Sequence, residues 1–77
     1  MNTLVANWEE EFRQSRIVVM PNGEGYIKEV DVKVWDILHQ LAQGLTERQL
    51  QQQYPLLTES DLRACGLFGY FSAVKKI

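Results

Sequence analysis

The sequence predicts an α+β fold, mostly α: a short N-terminal β-hairpin followed by a three-helix, helix-turn-helix-like bundle. Three observations carry that prediction. A β-branched run leads through Pro21-Asn22-Gly23 into a second, alternating run; apolar residues recur at helical spacing from Val34 onward; and two Thr-led helix starts follow a glycine turn and a proline turn. The 77 residues leave room for one core, and 45% apolar with 23% charged residues describes an ordinary globular chain. No apolar run approaches the roughly 18 residues of a membrane span, so no membrane contact is expected.

Residues 1–15 are read as an N-terminal extension and residues 16–77 as the hairpin plus helical domain. Within the extension, Leu4, Val5, Trp8 and Phe12 lie at helical spacing, with Glu9, Glu10 and Glu11 mostly on the other side, so a short amphipathic helix is expected over residues 4–14. The run Arg16-Ile17-Val18-Val19-Met20 reads as a strand, and the Pro21-Asn22-Gly23-Glu24-Gly25 segment as a reversal. Residues 26–33 then alternate, with Tyr26, Lys28, Val30 and Val32 on one face and Ile27 out of phase. Such a hairpin is marginal alone and needs a helix over one face.

Val34, Ile37, Leu38, Leu41 and Leu45 form the stripe of a helix over residues 34–43, closed by Gly44 at a left-handed cap. Thr46 and Gln49 have capping-box spacing, so a second helix begins there, carries Leu50 inward and stops near Gln53, ahead of Pro55. Thr58 caps a third helix over residues 59–74, with Glu59 and Asp61 in its first turn and Lys75 and Lys76 at its end, where each charge suits the helix dipole. This order of helices and turns is that of a helix-turn-helix module, although three amphipathic helices can also bundle with no DNA role.

The third helix is apolar on two sides. Ala64, Leu67, Phe68, Phe71 and Val74 make a large stripe, assigned to the core with Leu38, Leu41, Leu45 and Leu50. Leu62, Cys65, Gly66, Gly69 and Ala73 make a second stripe of mostly small residues. Glycine inside a helix costs about 1 kcal/mol relative to alanine, so Gly66 and Gly69 need a packing reason. The expected reason is a dimer or partner interface made by Leu62, Cys65, Gly66, Gly69, Tyr70 and Ala73; relief of crowding against the hairpin is the alternative. A homodimer also suits the size, because a chain this short buries only roughly 60% of its unfolded surface and has no staple.

Cys65 cannot form an internal disulfide, and with His39 it falls far short of a structural zinc set. No phosphate loop or carboxylate dyad is present; His39, three residues after Asp36, reads as a solvated surface residue and Cys65 as a buried, inert thiol. No catalysis, metal, cofactor or small-molecule substrate is therefore expected. Residues 1–12 hold no basic region of the kind that opens a signal peptide and carry Glu9, Glu10 and Glu11, which predicts a cytoplasmic protein. Net charge is −2, with the acidic excess in residues 1–36, whereas a stand-alone DNA-binding domain is expected to be basic. Glu59 and Asp61 sit where a DNA-reading helix would carry basic or amide side chains. The candidate phosphate contacts are Lys28, Lys33, Arg48 and Arg63, and DNA binding is left open.

Val34-Trp35-Asp36-Ile37-Leu38, Leu41-Ala42-Gln43-Gly44-Leu45-Thr46 and the run Tyr54-Pro55-Leu56-Leu57-Thr58-Glu59-Ser60-Asp61-Leu62 together resemble a small bacterial family called domain of unknown function 433. The similarity covers residues 17–74, and the spacing from the Gly44-Leu45-Thr46 turn to Tyr54-Pro55 and Leu57-Thr58 makes it specific. The resemblance implies a short β element followed by a helix-turn-helix, and an antitoxin-like role paired with a nuclease-like toxin of the PIN type, since some members are such antitoxins. The family usually carries a Gly-Lys-Pro stretch and then Arg-Gly-Thr-Arg ahead of its first helix. This chain has Gly23-Glu24-Gly25 and then Lys28-Glu29-Val30-Asp31, so only Gly23 and the base at Lys28 are kept, and any contact made by that basic turn is weakened. Cys65 stands where the family has a small residue. Two function classes follow: an antitoxin-like, dimeric partner-binding protein that can also bind DNA, or an interaction or scaffolding module of the same fold without DNA affinity.

Overall fold

A computed structural model describes residues 3–75, with side chains described for residues 7–74. Its elements are α1 (Thr3–Arg13), β1 (Ile17–Val19), β2 (Gly25–Ile27), β3 (Val32–Lys33), α2 (Val34–Ala42), α3 (Glu47–Gln53) and α4 (Glu59–Lys75), an α+β fold that is mostly helical. The strands form one antiparallel sheet in the order β1-β2-β3. Ile17 lies opposite Ile27 and Val19 opposite Gly25, while Ile27 pairs with Val32.

The strand expected over residues 26–33 is instead two short strands separated by a turn. Glu29 (φ 69°) and Asp31 (φ 60°) occupy the left-handed region, and the Asp31 N–H donates to the Ile27 carbonyl at 3.1 Å. The expected phase is therefore corrected as well. Ile27 is fully buried and Lys28 exposed, because the turn resets the alternation before Val32, also buried, enters β3. A hairpin is likewise not the first element: α1 precedes it and packs on α4 through Phe12, whose ring centroid lies 6.0 Å from that of Phe68 and 6.1 Å from that of Phe71.

The helix ends follow their local chemistry. Gly44 closes α2 at φ 104°, a conformation that only glycine adopts without strain. Thr46 and Gln49 complete a reciprocal capping box at the start of α3, with Leu50 buried beneath it. Thr58 and Asp61 make an equivalent pair at α4: the Asp61 N–H donates to Thr58 Oγ1 at 3.1 Å, and the Thr58 N–H donates to Asp61 Oδ2 at 2.9 Å. Lys76 and the side chain of Lys75 lie outside the described residues, as do the side chains of Leu4 and Val5.

The core sits between the sheet and helices α2 and α4. It comprises Ile27, Val32, Val34, Ile37, Leu50, Leu57, Leu62, Cys65 and Phe68, with Leu38, Leu41 and Leu45 packed partly buried against it. Gly25 permits the close approach of sheet to helices. A Cβ there would stand 2.9 Å from Val34 Cγ2 and 3.0 Å from the Phe68 ring.

Candidate interaction surface

Helix α4 does not divide into the two stripes expected. Leu62 and Cys65, assigned to an interface, are buried in the chain's own core together with Ala64, Leu67 and Phe68. Val74, assigned to the core, is 48% exposed, and Phe71 is half-buried. Residues 64–68 of α4 are buried apart from Gly66, whereas Tyr70, Ala73 and Val74 nearer its end are exposed.

The remaining expected interface residues stay together. Gly66, Tyr70 and Ala73 lie on the exposed side of α4, with Gly69 half-buried beside them. A Cβ on Gly66 would meet nothing within 4 Å, whereas one on Gly69 would touch Leu38 Cδ1 at 3.3 Å. Crowding within the domain thus accounts for Gly69 and not for Gly66. Tyr70, 43% exposed, packs edge-on against Trp8 of α1 at 5.6 Å, so the open surface is a thin stripe flanked by an aromatic pair.

The four candidate phosphate contacts are dispersed rather than gathered. Arg63 Nε donates to the Glu11 carboxylate of α1, and Lys33 Nζ lies 3.5 Å from Glu24 Oε1. Lys28, in the turn after β2, and Arg48, on α3, are exposed and form no ion pair among the described residues. Two of the four bases thus lie against carboxylates, at Glu11 and Glu24.

The strongest polar constellation involves residues with no functional role in the sequence reading. Arg16 donates from Nε to Asp61 Oδ1 at 3.1 Å, makes a second, shorter bond to Oδ2, and donates from Nη2 to the Leu56 carbonyl at 3.0 Å. Its other terminal nitrogen lies 3.4 Å from Glu29 Oε2. Asp61 is 3% exposed. Burial pushes its carboxyl up, but the Arg16 guanidinium and the bonds from Thr58 outweigh that and leave it below the usual carboxylate range. The local signal for half of this cluster was the Thr58-x-x-Asp61 spacing; nothing local announces Arg16. Beside the cluster lies a groove of about 350 Å³ lined by residues including Glu11, Arg16, Thr58 and Asp61. Within that groove Asp61 is engaged by Arg16 and Thr58, and Glu11 accepts from Arg63.

Burial, reinforced by the Asp61 charge, pushes the Cys65 thiol up to about 12, so the nucleophilic thiolate is absent at neutral pH. His39 is exposed on α2. Among the described residues no three His, Cys, Asp or Glu side chains are placed to hold a metal ion, and no helix is long and apolar enough to cross a membrane.

Residues 20–68 match the model of a family described as "Protein of unknown function (DUF433)". No curated protein and no solved structure matches the chain.

Proposed function

The chain belongs to the DUF433 family, and from that membership we propose that it is a non-enzymatic, antitoxin-like binding protein that acts by dimerisation and by holding a protein partner. The helices α2, α3 and α4 are read as a helix-turn-helix-like unit whose last helix is turned to protein contact. The supporting observation is the open stripe at Gly66, Tyr70 and Ala73. Gly66 is exposed with nothing near its missing Cβ, so a partner backbone can approach there at no loss to the domain's own packing. A nuclease-like toxin of the PIN type is the partner class that the family resemblance implies.

The test uses Gly66→Leu, which has room in the free chain and obstructs the stripe. Co-expression with a PIN-like nuclease encoded beside this reading frame should give a stable complex with the wild type. The variant should keep its fold and lose that complex by at least about tenfold in affinity, as a clash at the centre of an interface does. Retention of the complex by Gly66→Leu would remove the stripe from the mechanism.

A second reading is favoured by the pairing of Arg63 with Glu11 and of Lys33 with Glu24: an interaction or scaffolding module of the same fold without DNA affinity. Titration of generic and promoter DNA at low salt separates it from an antitoxin that also binds its own promoter. Saturable promoter binding that weakens with salt supports the antitoxin with DNA affinity, whereas no binding up to about 1 mM leaves the module.

A further inference from the structure

β1 is an outer strand of the sheet, and its main-chain groups are divided between two directions. The Lys28 N–H donates to the Arg16 carbonyl at 3.0 Å and the Met20 N–H donates to the Glu24 carbonyl at 2.8 Å, with Val18 opposite Tyr26 between them. Residues 16, 18 and 20 thus turn their main-chain groups toward β2, and the alternation of an antiparallel ladder turns those of Ile17 and Val19 outward. On that outer edge the Ile17 N–H donates to Ser15 Oγ at 3.3 Å. Val18 and Val19 of this strand and Met20 just after it are 37%, 53% and 45% exposed. Residues 17–20 carry no charged side chain and no proline, so this edge is limited by its length of three residues and by Pro21 just after Met20.

We propose that β1 is a self-pairing edge. Two copies of the chain join antiparallel about a two-fold axis at Val18, and Ile17 of each copy exchanges both main-chain hydrogen bonds with Val19 of the other, so that the two sheets become one. The outward groups of Ile17 and Val19 flank Val18 symmetrically, which makes the edge complementary to itself. The competing register, with the axis at Val19, would set Ile17 opposite Pro21, which has no N–H to give, and loses bonds. Charge also selects a second copy as the occupant. The strand bears no charged side chain, and the adjacent cation, Arg16, is drawn inward onto Asp61, so symmetric pairing brings no like charges together. In the Val18 register the two Val18 side chains meet at a non-hydrogen-bonded pair, where Cα atoms lie about 4.5 Å apart.

A ladder this short falls below the roughly 1,200 Å² of a stable interface, so the dimer is weak and concentration-dependent. It leaves Gly66, Tyr70 and Ala73 of both copies uncovered, and it does not depend on what α4 binds.

Sedimentation equilibrium of the full chain from about 10 μM to 1 mM, spanning the weak-interface range, should show the mass moving from one copy toward two. Amide resonances of residues 17–20 should shift over the same range while those of residues 66–73 stay fixed. Val18→Lys places two cations at the axis and should raise the dissociation constant at least about tenfold, whereas Val18→Thr, which keeps β propensity, should retain the dimer. Should the lysine variant fail to fold, a wild-type sample mixing labelled and unlabelled chains should give a Val18 Hα to Val18 Hα contact between copies. A chain that stays single throughout, a dimer whose shifts fall on α4, or a dimer lacking that contact overturns the proposal.

Discussion

Asp61 is nearly inaccessible to water yet remains ionised, because Arg16 and Thr58 surround its carboxylate with donors. Asp61→Asn keeps the shape and removes the charge, so the loss is that of charge-assisted bonds, about 2–3 kcal/mol. For a small domain that is a large fraction of the total, and a urea titration at neutral pH should show it directly. The sign of the pH dependence follows. The folded carboxyl titrates below its unfolded value, so its stabilisation is complete above about pH 4–5 and is lost as pH falls through the folded value. The wild type should therefore lose stability on acidification more steeply than Asp61→Asn. Two other residues test backbone chemistry. Glu29 holds φ 69°, where the family usually carries glycine, and Glu29→Gly should stabilise by about 0.5–1 kcal/mol despite losing an exposed contact to Arg16. Gly25→Ala drives a methyl into Val34 and Phe68 and should cost about 1–3 kcal/mol, whereas Gly66→Ala, with open space and better helix propensity, should gain up to about 1 kcal/mol. Thermal melts of these three variants check both signs.

At the scale of elements, α1 raises the question of what holds an 11-residue helix that would be marginal alone. The Arg63 and Glu11 side chains are 57% and 43% exposed, so their ion pair is screened and contributes little. Phe12 instead reaches the rings of Phe68 and Phe71, and Trp8 the ring of Tyr70. Phe12→Ala should accordingly destabilise by about 1–3 kcal/mol and Glu11→Ala by under about 0.5 kcal/mol, read from urea midpoints. This contrast explains what was legible in the sequence. Helices α2, α3 and α4 were readable to within a residue because their ends are fixed by neighbours in sequence: Gly44, the Thr46 and Gln49 box, and Thr58. Alternation hides the turn within residues 26–33 because that turn rests on positive φ at Glu29 and Asp31 with no glycine or proline to mark it. The Arg16 to Asp61 contact spans 45 positions and leaves no local trace. On the candidate surface, Gly66, Tyr70 and Ala73 were found from small-residue spacing. Leu62 and Cys65 were misplaced because helical period alone does not say which flank the rest of the chain covers.

For the molecule as a whole, the distribution of charge gives the two readings of its function different salt dependences. The net charge of −2 offers no long-range attraction to a polyanion, and two of the four candidate phosphate contacts face carboxylates at Glu11 and Glu24. Of the four, Lys28 and Arg48 form no ion pair among the described residues. Since each neutralised phosphate contributes about −0.9 to the log–log salt slope, duplex binding carried by Lys28 and Arg48 alone should follow a slope of about −2. Partner capture through the uncharged Gly66, Tyr70 and Ala73 stripe should be nearly indifferent to salt. The combined variant Glu11→Gln, Glu24→Gln frees Arg63 and Lys33, and its slope should approach about −3.6 if these bases lie on the side that meets DNA. Fluorescence anisotropy of a labelled duplex between about 20 and 200 mM salt distinguishes the outcomes across the range where such slopes are resolved. A wild-type slope already near −3.6 would mean that DNA pulls both bases off their carboxylates and would restore nucleic acid as a partner. A flat, millimolar response from both proteins would leave protein contact as the molecule's one mode of binding.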